Sequence, residues 1–240
     1  MTVAEALESV YEKVSGVLTM VNGILDGKMV DEADTFYDLP DRIARITGAD
    51  EIIDGTATKI SSLAENVQMY KFYHNDALQS ASLPLATSVG ECAFSDCTNL
   101  TEINLPVTTS IGRQAFTGTG IVTADMPAVT TTGGSVFAGC ASLKTAKLPL
   151  LRIVEAGVFY DCAELETVDL TNVSSISANS FAGCKLLKAL IIRRNGLCSL
   201  ASARAFEGSG IANGTGFIYV PQELDVVFVT PLANIQLRNK

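Results

Sequence analysis

Six cysteines, one histidine and one glycine-rich stretch are the residues of this 240-residue chain whose types and spacing could do chemistry. Thiolates bind zinc, attack as nucleophiles or pair as disulfides, and each use demands its own geometry. Zinc sites draw on close Cys-x-x-Cys pairs that converge on a point, whereas Cys97, Cys140, Cys162 and Cys184 stand 43, 22 and 22 residues apart. They fill one position of a sequence repeat that Asn75, Thr119 and Ser209 occupy elsewhere, so a buried ladder of reduced thiols is expected. Cys92 and Cys198 fall outside that column. Cys92 has Cys97 as a local neighbour, but free thiols are expected at both. His74 is the one imidazole available to a Ser/His/Asp or Cys/His arrangement. It falls where other repeats carry Asp96, Gly118, Asp161 or Gly183, and no repeat-breaking Ser, Cys or Asp constellation accompanies it, so it reads as a surface turn. Gly208-Ser-Gly210-Ile-Ala-Asn213-Gly214 mimics a phosphate loop, yet Asn213 stands where the third glycine of G-x-G-x-x-G belongs, and a repeat corner explains it better. A non-enzymatic chain is expected, with no catalytic residue, cofactor or metal; an enzyme with an unfamiliar site in a corner loop is the competing expectation.

The element that positions these residues is the repeat itself. Phe72, Phe94, Phe116, Phe137, Phe159, Phe181 and Phe206 recur at intervals of 22, 22, 21, 22, 22 and 25 residues. A period near 22 is the signature of a solenoid, because one such coil cannot bury its apolar face until a neighbour stacks on it. Leu78/Ala81/Leu83, Leu100/Ile103/Leu105, Ile121/Ala124/Met126, Leu143/Ala146/Leu148, Leu165/Val168/Leu170 and Leu187/Leu190/Ile192 repeat one Leu-x-x-Leu-x-Leu pattern. The alternation puts the two flanking apolar residues inward and the residue between them outward, as a short strand requires. A parallel sheet along one face is expected over about seven coils. The coil after Phe116 is one residue shorter, at Thr119-Gly120-Ile121.

The consensus Phe94-x-x-Cys97-x-x-Leu100-x-x-Ile103-x-Leu105-Pro106, with its second strand motif Ile111-Gly112-x-x-Ala115-Phe116, resembles the BspA-like leucine-rich-repeat family. The resemblance covers about residues 52 to 221 and is nearest to the branch found in phage and prophage tails. It implies an interaction protein: a tail, baseplate or fibre component of a virion, or alternatively a surface adhesin of a bacterium or protist. The adhesin branch normally carries an export signal and often an anchor. The N-terminus MTVAEALESVYEKV has neither the basic nor the continuous apolar region of a signal peptide.

Four regions follow from this pattern. Residues 1–28 read as an amphipathic or coiled-coil helix, residues 29–51 as a linker with a short helix after Pro40, residues 52–216 as a mainly β solenoid, and residues 217–240 as a C-terminal cap. In the first region Leu7, Val10, Val14, Val17, Val21 and Ile24 fall at a and d positions of three heptads. They are candidates for attachment or self-association, a trimer before other numbers; packing on the first coil as a cap is the alternative. The segment Leu39-Pro40-x-x-Ile43-x-x-Ile46 is similar to segments that precede repeats in phage-encoded relatives, which favours the virion reading.

Charge limits the partners. Twelve acids and four bases give residues 1–56 a net charge of −8, while the rest of the chain is near neutral, so neither part has the basic stripe a nucleic acid requires. No apolar run approaches the roughly 18 residues of a membrane span. The expected partner is a protein or cell-surface receptor, with other virion proteins as a further possibility under the tail reading. It would be met on the outward strand positions, where Glu102, Asn104, Asp125, Lys147 and Asp169 are the candidate contacts. These columns are small and polar, without the Trp, Tyr and Arg that dominate protein hot spots, so a plain solvated sheet with binding at corners such as Tyr160-Asp161 is the competing expectation.

Overall fold

Each coil of about 22 residues makes one long strand, one short strand and the turns that join them. In the computed structural model the long strands are β1 (Lys59–Ser61), β3 (Ser80–Ser82), β5 (Glu102–Asn104), β7 (Thr123–Asp125), β9 (Thr145–Lys147), β11 (Thr167–Asp169), β13 (Ala189–Ile191) and β15 (Phe217–Val220). The short strands are β2 (Asn66–Val67), β4 (Ser88–Val89), β6 (Ser110–Ile111), β8 (Thr131–Thr132), β10 (Ile153–Val154), β12 (Ser175–Ile176) and β14 (Ser199–Leu200). A last strand, β16 (Leu237–Asn239), pairs with β15. The structure describes residues 58–62, 64–193, 198–200, 202–220 and 237–239. The expected N-terminal helix with Leu7, Val10, Val14, Val17, Val21 and Ile24, the linker, and most of the C-terminal cap lie outside the described residues.

All pairings are parallel, and the register is that of the repeat: Ser80 faces Glu102, and Thr123, Thr145, Thr167 and Ala189 follow one another across the long-strand face. The inward residue of every long strand but β5 is buried, from Ile60 and Ala81 through Ala124, Ala146 and Val168 to Leu190 and Ile218. Behind them the phenylalanines form a continuous stack from Phe72 to Phe206. Their centroids are 4.9, 5.3, 5.7, 5.5, 5.3 and 5.2 Å apart, and five of the six ring pairs lie within 12° of parallel. Each such pair contributes about 0.5–1.5 kcal/mol beyond simple burial, so the stack ties every coil to the next.

The corners that carry the phenylalanines from Phe72 to Phe181 each turn through two left-handed residues, whereas Phe206 ends a 3-10 turn over Ala203–Phe206. Tyr70, Cys92, Gln114, Ser135, Gly157 and Asn179 form one column of positive φ, and His74, Asp96, Gly118, Gly139, Asp161 and Gly183 form the second. Between them, amides of one corner donate to carbonyls of the next, as in Tyr70 to Glu91 (2.9 Å), Phe72 to Ala93 (2.8 Å) and His74 to Ser95 (2.9 Å). The corners therefore stack as regularly as the strands do.

One expectation needs correction: the long-strand sheet is not continuous. Among the described residues β1-β3-β5 form one sheet and β7 to β16 another, with no ladder between β5 and β7. The cause is the 21-residue coil. Where the coils other than the last, with its Ser209-Gly210-Ile211, spend two residues between the cysteine column and the next leucine, this one spends only Gly120, and the chain there hugs the backbone of Thr98 so closely that a Cβ would collide with its carbonyl oxygen. The bond from Val122 to Thr101 stretches to 3.4 Å, and Leu105 lacks the bond to the next coil that Leu83 (3.0 Å) and Met126 (3.0 Å) make. Ile103 is the one inward long-strand residue of the series that is only half-buried. The short-strand sheet breaks one step later, between β8 and β10. There Thr132 occupies the place of Val89, Ile111, Val154 and Ile176, and its buried hydroxyl has no partner.

Candidate functional site

The cysteine column is settled by hydrogen bonds. The thiols of Cys97, Cys140, Cys162 and Cys184 donate to the carbonyls of Phe72, Phe116, Phe137 and Phe159 at 2.9, 3.0, 3.0 and 3.0 Å, each reaching the phenylalanine of the preceding coil. Thr119 fills the same slot, bonding the Phe116 carbonyl at 2.9 Å and lying 3.3 Å from the Cys140 thiol. Asn75 caps the first coil by accepting from the amides of Ala77 and Leu78. Burial pushes the thiol of Cys97 up to about 12, Cys140 to about 11 and Cys184 to about 12, with Cys162 also well above its usual value. Thiols so placed stay protonated at neutral pH and are neither nucleophiles nor metal ligands. All six cysteines are buried, including Cys92 and Cys198. Among the described residues no three metal-ligating side chains come together.

His74 is exposed, in a left-handed turn, with its Nε2 3.6 Å from a carboxylate oxygen of Asp96. The glycine-rich 208–216 segment is a turn packed on the preceding coil, where Gly210 and Gly216 both press on the backbone of Leu187.

The outward face of the long strands is the remaining candidate. Glu102, Asn104, Asp125 and Lys147 are exposed and Asp169 is half-buried. Asp125, Lys147 and Asp169 are neighbours in register. Lys147 Nζ lies 3.4 Å from Asp125, and Thr171 donates to Asp169 at 2.7 Å. Asn104 donates instead to Ser82, at 3.1 Å. One column away Lys188 bonds Glu166 at 2.9 Å, which holds that carboxyl below its usual range. These exposed pairs fix side-chain directions more than they stabilise the fold.

The interruption between β5 and β7 divides this face. It opens a cleft of about 520 Å³ lined by Thr101, Glu102, Ile103, Val122, Thr123 and Asp125. Two of the expected contacts, Glu102 and Asp125, therefore stand on opposite walls of one depression. Asn104 lies beside it, and Lys147 and Asp169 extend the β7 side. Thr101 and Val122 were not among the expected residues; the signal for them is the missing residue at Gly120, which opens the cleft. No helix among the described residues is long and apolar enough to cross a membrane.

The architecture is that of known proteins. The crystal structure of a leucine-rich-repeat protein from T. pallidum superposes with a TM-score of 0.56 at 27% identity, over 60% of this chain and 73% of that one. A leucine-rich-repeat protein from Bacteroides ovatus superposes with a TM-score of 0.54 at 22% identity, over 76% of this chain and 51% of that one. No curated protein matches the sequence. The BspA type leucine rich repeat region matches residues 65–188 in six copies. That span is the stretch in which the phenylalanine stack, the cysteine ladder and the paired left-handed corners recur together, and the chain belongs to the BspA-type leucine-rich-repeat family.

Proposed function

We propose that the chain is a recognition scaffold of a bacterial cell surface, binding a protein or surface receptor through the side chains its coils present to solvent, with no enzymatic role. The observation that carries this reading is the division of labour within every coil. Phe, Leu and Ile columns close the interior, while the outward columns from Ser80 to Ala189 and from Ser82 to Ile191 stay in register within each of the two sheets, where they change without cost to the core. Family membership and the bacterial sources of the similar structures support the surface reading over the virion role expected from sequence. The virion reading rests on the Leu39 to Ile46 segment, which lies outside the described residues, and the comparisons add nothing to it.

Two measurements test the proposal. Immunogold labelling of the producing organism with antibodies to the array is expected to mark the outside of intact cells; label confined to phage particles overturns the surface reading. Fluorescent full-length chain is expected to bind target cells saturably, in competition with unlabelled chain. A double Glu102→Ala, Asp125→Ala variant should then bind at least about fivefold more weakly, the effect of losing one hot-spot contact. Binding that neither saturates nor competes removes the recognition role altogether.

A further inference from the structure

The first complete corner of the array differs from all the others in what it shows to solvent. Met69, Tyr70 and Tyr73 are 59%, 51% and 45% exposed, three large apolar side chains within five residues. The rings form a chain of contacts: Tyr70 and Tyr73 meet edge to face at 5.7 Å, and Tyr73 meets His74 at 4.2 Å. His74 in turn stands 3.6 Å from Asp96 of the next corner.

Packing does not explain these rings. Tyr70 has φ of 57°, a conformation in which a bulky side chain is an outlier, and its column is otherwise Cys92, Gln114, Ser135, Gly157 and Asn179. The five corners that follow take the same left-handed path, so a residue without an aromatic ring at position 70 would close the same turn. The Tyr70 amide donates to the Glu91 carbonyl at 2.9 Å, which sets Glu91 in the corner stacked on it, and interaction with the neighbouring Cys92 thiol holds the phenol above its usual range. Three exposed aromatic or apolar side chains at one corner, in a fold whose other corners carry no tyrosine at this left-handed position, are the pattern of a functional surface.

We infer that the corner of Tyr70, Tyr73 and His74, flanked by Glu91 and Asp96, is a docking surface for a cationic segment of a partner protein, an arginine or lysine seated on the tyrosine rings. The occupant follows from charge. Glu91 and Asp96 outweigh Lys71, the corner's one lysine or arginine. A tyrosine face attracts a cation, guanidinium above all, and a carboxylate at its rim accepts the guanidinium hydrogen bonds. Tyrosine also offers a large rigid contact area at small entropic cost. This inference rests on the recognition reading above and names the surface and the partner chemistry.

The test is a titration of isotope-labelled full-length chain with an acetylated, amidated peptide of four arginines spaced by glycine, followed by NMR at low salt. Shifts are expected at Tyr70, Tyr73, His74 and Asp96. Tyr73→Leu and Asp96→Asn should each weaken binding about 3- to 10-fold, the range of an exposed to partly desolvated cation–π contact, and Glu164→Gln, an exposed carboxylate further along the array, should leave it unchanged. Because Tyr73 and Asp96 are at the surface, retained phenylalanine ring shifts verify that both variants fold. Affinity unchanged in both variants, shifts confined to the β5–β7 cleft, or no shifts at all overturn the corner as a cationic site. Shifts at the tyrosines with a neutral oligosaccharide such as cellohexaose, and none with the peptide, overturn the cationic occupant in favour of a glycan. In each of these cases the cell-binding measurement still judges the recognition reading on its own.

Discussion

Gly120 lies against the carbonyl of Thr98, so close that no side chain can be added there without moving the backbone of one coil or the other. That contact is the pivot of the short coil, and through it of the split between β5 and β7. Gly120→Ala is therefore expected to destabilise the array by about 1–3 kcal/mol, the cost of overpacking a tight contact. Urea denaturation measures it, and a change within experimental error would mean that the short coil relaxes freely.

The opposite change should repair the sheet. Replacing Gly120 by Thr-Asn, the pair that regular coils carry at Thr98-Asn99, restores 22 residues and lets β5 and β7 pair. Hydrogen exchange in the native chain is expected to be faster in residues 101–105 and 122–126 than in 145–148 and 167–170, and the two-residue replacement should remove the difference. Equal protection of both regions in the native chain would contradict the split.

Thr132 offers a stabilising substitution. Its hydroxyl is buried without a partner in a column otherwise built from Val, Ile and Leu. Thr132→Val keeps the shape and removes the unpaired group, which should raise stability by about 1–3 kcal/mol. A loss of stability on thermal denaturation would show that the hydroxyl is satisfied in solution.

The phenylalanine stack should dominate the energetics. Phe159 is fully buried between Phe137 and Phe181, and Phe159→Ala is expected to cost about 3–5 kcal/mol through lost transfer energy and the cavity left behind. Phe72, at the start of the stack and slightly exposed, has a ring neighbour on one side and should cost less.

The buried thiols should make the fold sensitive to alkali. In the unfolded chain they ionise near 9, and in the folded chain Cys97 and Cys184 do so near 12 and Cys140 near 11. Above 9 the unfolded state loses protons that the folded state keeps. The stability these thiols supply is full below pH 9 and falls as pH rises from 9 towards 12, by up to about 1.4 kcal/mol per thiol per pH unit. Denaturation midpoints of the native chain and of Cys184→Ala, compared at pH 8 and pH 10.5, should show the variant losing less between the two. At pH 8, a thiol reagent should modify the column only as fast as the chain unfolds.

The repeat columns were readable because a solenoid shows its neighbours' requirements at a fixed interval. Cys162 has to resemble Cys140 and Cys184, since each thiol meets the same carbonyl one coil back. The outward columns were equally plain, and the register of Thr123, Thr145 and Thr167 follows directly from the 22-residue spacing. The cleft was not readable, although its cause was. The missing residue before Ile121 stands in the sequence, but whether a shortened corner is absorbed by the turn or passed on to the strands depends on backbone contacts such as Gly120 with Thr98. The tyrosine corner escaped for a similar reason. Tyr70 and Tyr73 are separated by the core residue Phe72, and only the two left-handed turns bring their rings together on the outside.

The second left-handed column carries a rule of succession. Asp96 is followed by Gly118, and Asp161 by Gly183, and in both cases the aspartate oxygen fills the space where the next coil's side chain would begin. An aspartate coil thus accepts a glycine coil after it and is badly matched to a copy of itself. Arrays of this kind lengthen by duplication, and here the unit that copies cleanly is the pair: two coils, aspartate then glycine, rather than one. A single-coil duplication of residues around Asp161 would set two carboxylates against each other in one strained corner, whereas a duplication that takes Gly183 along leaves every junction as it already is.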